Sequence, residues 1–299
     1  MPSGVILVKG AWSSASDSVT PLPERGVVDH GVFRDPYFGI RYALPPDWTE
    51  KYRGPPPSEN GRYVLAELAP ADTFKGAVRG SVLITAQDMF FSLTPTNNAV
   101  ELINYMKNHL QSDYTTETPP KQLKIADRSF AFFSYWSPAA ELHWYVLATD
   151  IRCHVVQIVL TSRDMKLLDS LLVDLNKMKL PAEASPTGGT GGGAVPVCIQ
   201  DYAQAENMIA RAEPVFTDRK FNPVPVRIII GKDGKVKHVH FISAFPDQTK
   251  AISDALARWK FKPYRRDGQG LEVETGLQFG RPNARDPAND ERRGSPPRN

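Results

Sequence analysis

The stretch from Val224 to Gly280 narrows the folds open to this chain more than any other. A β-branched run, Val226 to Ile230, meets Lys232-Asp233-Gly234, and a second apolar run follows from Val236 to Ile242. Asp-Gly between two such runs predicts a hairpin, because the turn needs a positive φ that glycine adopts at little cost. Pro246-Asp247 then opens a helix in which Ile252, Ala255, Leu256 and Trp259 recur at i, i+3, i+4 and i+7, one apolar stripe. Lys262-Pro263 stops the helix, since proline cannot continue it. Asp267-Gly268 turns the chain. Val273, Thr275, Leu277 and Phe279 then alternate with Glu272, Glu274 and Gln278, the pattern of a half-exposed strand. Strand, hairpin, strand, helix, strand makes a complete two-layer unit.

This order, with these residues, resembles the C-terminal domain of TonB-type energy transducers. The resemblance lies in the Asp233-Gly234 hairpin after an apolar strand and in the Ala255-Leu256 pair on the helix. It continues in the string RWKFKP from Arg258 to Pro263 and in DGQGLEV before a last strand ending at Phe279. Where many members carry Tyr-Pro ahead of the first strand, Phe221-Asn222-Pro223 stands here. The resemblance implies a small sheet whose edge strand takes up a short peptide from an outer-membrane transporter. In such β-augmentation, backbone hydrogen bonds supply affinity and alternate side chains supply specificity. The last strand is the expected edge, with Leu271, Val273, Thr275, Leu277 and Phe279 as partner-binding residues and Tyr264, Arg265 and Arg266 as the rim. Glu272, Glu274 and Gln278 would guard that edge against aggregation.

The earlier part of the chain reads as a different domain. Residues 1–35 are a Ser/Thr/Pro-rich lead-in with one apolar run, Val5 to Val8, and are expected to form an extended arm. From there Tyr37 to Tyr42 alternates and runs into Leu44-Pro45-Pro46-Asp47-Trp48. The prolines end the strand, and the tryptophan just beyond can fold back as a lid on the core. A short strand entering such a Pro-x-x-Trp loop resembles the opening of PsbP-like domains. Strands are expected over Arg62 to Leu68 and Gly80 to Gln87, then a helix from about Asn98 to Gln111 with the stripe Val100, Ile103, Met106 and Leu110. A strand pair broken near Asp127-Arg128 follows, then a hairpin of Leu142 to Ala148 and Ile151 to Leu160 turning at Thr149-Asp150. Ser162 is expected to cap a last helix, Met165 to Met178, with Leu168, Leu171, Leu172 and Leu175 on one face.

Residues 182–194, AEASPTGGTGGGA, mark the boundary, because Gly/Ser/Thr-rich segments behave as flexible coil. The expected organisation is an arm (1–35), a PsbP-like α+β domain with one antiparallel sheet and two helices (36–181), the linker (182–194), a TonB-like domain (195–281) and a disordered tail (282–299). In the TonB-like domain Tyr202 to Ala212 is read as a further helix, with Tyr202, Ala205, Met208, Ile209 and Ala212 on one side. The fold class is thus α+β in both domains, the second a small sheet with two helices.

Net charge is only +3, which excludes the strong positive field of a nucleic-acid binder. The two cysteines, Cys153 and Cys198, are too few for a disulfide framework. They are either buried free thiols or a bridge crossing from one domain to the other. No run reaches the ~18–20 apolar residues that span a bilayer. The start, MPSGVILVKGAW, lacks the basic region of a signal peptide. The TonB resemblance nonetheless implies a periplasmic location, and hence a longer precursor or a removed signal.

No catalytic constellation emerges. His238 and His240 share a strand face, as two metal ligands do, but no third ligand is near them in the sequence, and exposed sheet positions are the alternative. His143 and His154 fall on the two strands of one hairpin with Cys153 alongside, yet successive strand residues face opposite ways. Ser134 and Ser137 lack a nucleophile-elbow frame, and the glycines at 188–193 lack the Lys-Ser/Thr of a phosphate loop. Lys235, Lys237, Arg258, Lys260, Lys262, Arg265 and Arg266 form either a solvated face or a rim for an acidic partner segment. Trp259 and Phe261 are expected in the core and Tyr264 at the surface.

The expectation is a non-enzymatic cell-envelope binding protein, with no cofactor and no metal. It would take part in TonB-type transport by docking a peptide of an outer-membrane TonB-dependent transporter. Energy transduction also needs a membrane helix and a Pro/Lys-rich span, and this sequence shows neither, so it is expected to bind rather than to transmit force. The alternative is an assembly adaptor whose TonB-like domain forms a homodimer strand to strand.

Overall fold

The structure, a computed structural model, describes residues 26–52, 62–71, 80–91, 94, 96–181, 196–216, 223–242 and 244–280. The expectations for the run Val5 to Val8, for the linker 182–194 and for the tail 282–299 lie outside the described residues. The described residues form two units, 26–200 and 201–280.

The first unit opens with a three-stranded antiparallel sheet: β1 (Val27–Asp29), β2 (Val32–Asp35) and β3 (Ile40–Ala43). The expected arm therefore gives way to sheet by Val27. Between β2 and β3 the chain turns rather than running as the strand expected from Tyr37. The Asp35 carboxylate accepts from the Phe38 N–H at 2.8 Å, and Gly39 takes a φ of 66°.

Then come β4 (Trp48–Tyr52), β5 (Arg62–Pro70), β6 (Ser81–Asp88), α1 (Ala99–Asn108), β7 (Thr115–Ile125), β8 (Arg128–Ser137), β9 (Leu142–Ile151), β10 (His154–Ser162) and α2 (Met165–Asp174). The strands form a seven-stranded sheet in the order β4-β5-β6-β10-β9-β8-β7, antiparallel throughout. A two-residue strand, β11 (Val197–Cys198), closes the unit.

Strand alternation puts one set of side chains on each face of this sheet. One face carries Phe130, Phe132, Tyr145, Leu147, Val156, Ile158 and Leu160, packed with Phe33, Ile40 and Tyr42 of the small sheet and with Leu168, Leu171 and Leu175 of the α2 segment. The other carries Ala131, Phe133, Val146, Ala148 and Val155 against Ala99, Leu102 and Ile103 of α1. Val100, expected in the α1 stripe, is exposed. The helix cap is Asn98, whose side chain accepts from the Glu101 N–H at 2.9 Å, while the Glu101 carboxylate accepts from the Asn97 N–H at 2.9 Å. These bonds satisfy N–H groups that a helix start otherwise leaves open.

The β9–β10 turn lies three residues beyond the expected Thr149-Asp150. Thr149 and Asp150 stay in β9, where tertiary partners claim them. The Thr149 hydroxyl donates to Ser129 O at 2.8 Å, and the Asp150 carboxylate accepts from the Ala99 N–H at 2.7 Å. The chain turns instead at Arg152-Cys153, with φ of 49° and 57°. Left-handed φ at both positions is the requirement of a type I′ hairpin, and for non-glycine residues it costs about 1–2 kcal/mol each. Cys153 is bonded to Cys198 in a disulfide within this unit, so neither thiol is free and the bridge does not run between the two units. The β7–β8 turn at Ala126-Asp127 has the same left-handed pair.

In the second unit β13 (Val224–Ile230) is central and antiparallel to both β14 (Val236–Phe241) and β18 (Val273–Phe279). The Lys232-Asp233-Gly234 turn joins β13 and β14 as the sequence predicts, with Gly234 at φ 81°. α3 (Pro246–Leu256) follows, its Ile252, Ala255 and Leu256 fully buried and its axis beside β14. It ends before the Lys262-Pro263 stop. Trp259 and Phe261 lie past its end and are nonetheless core, 4% and 0% exposed.

The second helix expected at Tyr202 to Ala212 does not form. That segment holds one 3-10 turn, Ala205–Asn207, then β12 (Met208–Ala210), which pairs with β15 (Lys260–Phe261). Lys262 N donates to Asn207 O at 2.7 Å, and the Tyr202 hydroxyl to Lys262 O at 2.6 Å. Pairing with a distant strand thus overrides a good local helix propensity. β16 (Arg265–Arg266) and β17 (Gln269–Gly270) form a hairpin across Asp267-Gly268, as expected.

Candidate docking surface

The expected site strand is β18, and every one of its residues pairs with β13. It is not half-exposed. Val273, Glu274 and Thr275 are buried in succession, so both faces are covered there, and Phe279 is buried too. Leu277 is half-buried, and Leu271 lies ahead of the strand, its N–H donating to Tyr264 O at 3.0 Å. Glu274, expected to guard an edge, instead makes a buried ion pair with Arg227 at 2.9 Å. Tyr264 is half-buried rather than at the surface. Its ring meets Tyr202 edge-on at 5.7 Å, and the Arg266 guanidinium lies over it at 5.9 Å. Arg265 is exposed.

β14 stands at one end of its sheet's strand order. Ile242 N donates to Pro225 O at 3.0 Å, and His240 lies opposite Arg227. Bonded pairs alternate along an antiparallel ladder, so the backbone of His240 and Ile242 faces β13 while that of Val239 and Phe241 faces outward. Among the described residues no strand lies beside Val239 and Phe241. The start of this outer side is occupied where Lys235 bridges to Lys260 and Phe261 N donates to Gly234 O at 2.8 Å. The register also slips between Ile229 and Ile230, leaving Lys237 as an extra residue, its side chain half-exposed and 3.0 Å from Glu272. A bulge and an exposed lysine are devices that natural sheet edges carry.

The histidines part company. His238 and His240 share a face with Arg227 and Glu274, but His240 is buried, not the exposed position expected of a surface strand. Among the described residues no group of three or more His, Cys, Asp or Glu side chains gathers as a metal site would require. His143 and His154 are not neighbours, because His143 lies opposite Ser162 and His154 opposite Ile151, at the two ends of one ladder. His143 contacts Glu117 at 2.8 Å and stacks on Trp136.

His154 is enclosed by the rings of Tyr37, Phe38 and Tyr63, its Nδ1 donating to Arg152 O at 2.7 Å and its Nε2 3.8 Å from Asp88. Both His154 and Asp88 are 0% exposed, a pairing that no spacing in the sequence signals. Ser134 and Ser137 are buried, and the Ser137 hydroxyl accepts from Ala140 N.

No protein-family model matches this chain. No curated protein matches it either. Among solved structures it is similar to the solution structure of cyanobacterial PsbP (CyanoP) from Synechocystis sp. PCC 6803, at 13% identity and a TM-score of 0.35, over 55% of this chain and 96% of that one. Among the described residues no helix is long and apolar enough to cross a membrane.

Proposed function

We propose that the chain is a non-enzymatic binding protein of the cell envelope whose C-terminal unit docks an extended segment of a protein partner by strand addition, as TonB C-terminal domains do. The partner is an outer-membrane TonB-dependent transporter. The observation that carries this reading is the outer edge of β14, where the backbone of Val239 and Phe241 faces away from β13 and no described strand follows. An added strand gains its affinity from such backbone groups. The docking strand is thus β14 in place of Leu271 to Phe279. The Cys153–Cys198 disulfide supports a periplasmic setting, since disulfides persist in oxidising compartments. The first unit is read as a PsbP-like domain that offers a second binding surface.

The test is a pull-down from envelope extract with the full chain and with Val239→Pro. Proline removes an N–H that the β13 ladder does not use and blocks the outer edge. The expected result is recovery of outer-membrane transporters by the wild type and their loss with the variant. Recovery of soluble proteins alone, or equal recovery by both, overturns the reading. A dimer in size-exclusion chromatography that Val239→Pro splits would instead favour an adaptor that pairs with its own copy.

A further inference from the structure

Three cations stand in one row across the small sheet of the first unit. Arg34 of β2 lies directly opposite Arg41 of β3. Arg41 in turn bridges to Lys179, with Arg41 N donating to Lys179 O at 2.9 Å and Lys179 N to Arg41 O at 2.8 Å. Because the backbone of Arg41 is spent on Lys179, the Arg34–Arg41 pair is the non-bonded kind. In such pairs the Cα atoms approach to about 4.5 Å and the side chains lie closest. All three side chains are exposed. Among the described residues no carboxylate pairs with any of them. Like charges placed directly opposite destabilise a sheet, so the fold holds these cations together against their repulsion.

The row borders a cleft of about 280 Å³ lined by Arg34, Asp35, Pro36, Gly39, Ile40 and Arg41. That is several times the ~30 Å³ a water molecule occupies in the liquid. The acid in this lining, Asp35, is 1% exposed and accepts from the Phe38 N–H, so it belongs to the turn and not to the cleft mouth. Arginines directly opposite each other can bring two guanidinium forks to the oxygens of one phosphate, and a lysine paired with one of them can add a third charge.

We propose that Arg34, Arg41 and Lys179 form a binding site for a phosphate-bearing anion seated in this cleft. The anion turns a repulsive row into a charge-assisted hydrogen-bond network, and its affinity falls as salt rises. The site is separate from the β14 edge, and each stands or falls alone.

The test is calorimetric titration of the full, oxidised chain with pyrophosphate at constant ionic strength. A parallel sedimentation assay uses phosphatidylcholine vesicles with and without phosphatidic acid. Saturable pyrophosphate binding is expected. Arg34→Gln and Arg41→Gln should each weaken it about tenfold, the loss of one charged hydrogen-bond partner. Lys107→Gln, on α1 at the opposite face of the seven-stranded sheet, should leave it unchanged. Vesicle binding that needs phosphatidic acid and both arginines marks the source as a lipid headgroup, whereas pyrophosphate binding alone marks it as a free phosphate compound. Absence of saturable binding to both probes overturns the proposal. So does an affinity that Arg34→Gln combined with Arg41→Gln leaves at the wild-type value while the fold is retained by circular dichroism.

Discussion

Arg227 and Glu274 meet at 2.9 Å across β13 and β18, with side chains 3% and 9% exposed. Glu274 lies opposite Ile229, two residues along from Arg227, so the pair is a diagonal contact on one sheet face. Removing one partner of a buried pair strands the other charge. Arg227→Met or Glu274→Leu alone should therefore cost about 3–5 kcal/mol in urea unfolding. The double variant should cost less than either single change, because two apolar side chains leave no charge unpaired. Additive losses would mean that the two side chains act independently.

Gly234 is expected to tolerate no side chain. Its φ is 81°, and a Cβ there would sit 2.1 Å from the Phe261 carbonyl oxygen. Gly31, at φ 70°, has nothing within 4 Å of a Cβ. Gly31→Ala should cost about 1–2 kcal/mol from backbone strain alone, and Gly234→Ala clearly more. Thermal melting of the two variants checks the order.

The Cys153–Cys198 bond closes a separation of 45 residues. Chain-entropy reasoning puts its contribution at about 3–4 kcal/mol. Cys153→Ser and Cys198→Ser should lower the unfolding midpoint equally, and reduction of the wild type should match them. A thiol assay on the denatured, unreduced protein should find no free cysteine.

Alkaline titration should unfold the first unit. Burial, with Tyr114 adding to it, pushes the Tyr135 hydroxyl up to about 12. Burial and then the hydrogen bond to Asp169 push Tyr145 up to about 12 as well. Both are raised above the ordinary value near 10, so their contribution is intact below pH ~10 and is lost as pH rises from about 10 to 12. Phenolate absorbance and circular dichroism should change together over that window. Tyr145→Phe should move the transition to higher pH.

Much of the fold was legible because it rests on local patterns. Asp233-Gly234 and Asp267-Gly268 turn where their dipeptides say, since glycine alone makes a positive φ cheap. The stripe Leu168, Leu171 and Leu175 is buried as its spacing requires. The candidate edge was less legible. The alternation of Val273 to Phe279 is real, but alternation does not say which strand ends a sheet.

Residue order alone was enough to set β5, β6, β13, β14 and β18, the α1 and α2 helices, the helix of the C-terminal unit and the glycine turns, because each depends on interactions within a few residues. Pairing between remote segments decided the rest. It drew Met208–Ala210 out of a helix and onto Lys260–Phe261, and it moved the β9–β10 turn to Arg152-Cys153, which the bond to Cys198 ties down. It also buried Glu274 against Arg227 and brought Arg34, Arg41 and Lys179 into one row. Apart from the seven-residue step between Arg34 and Arg41, such contacts join residues tens to more than a hundred positions apart, and their stability is a property of the register between strands, which no short window of sequence contains.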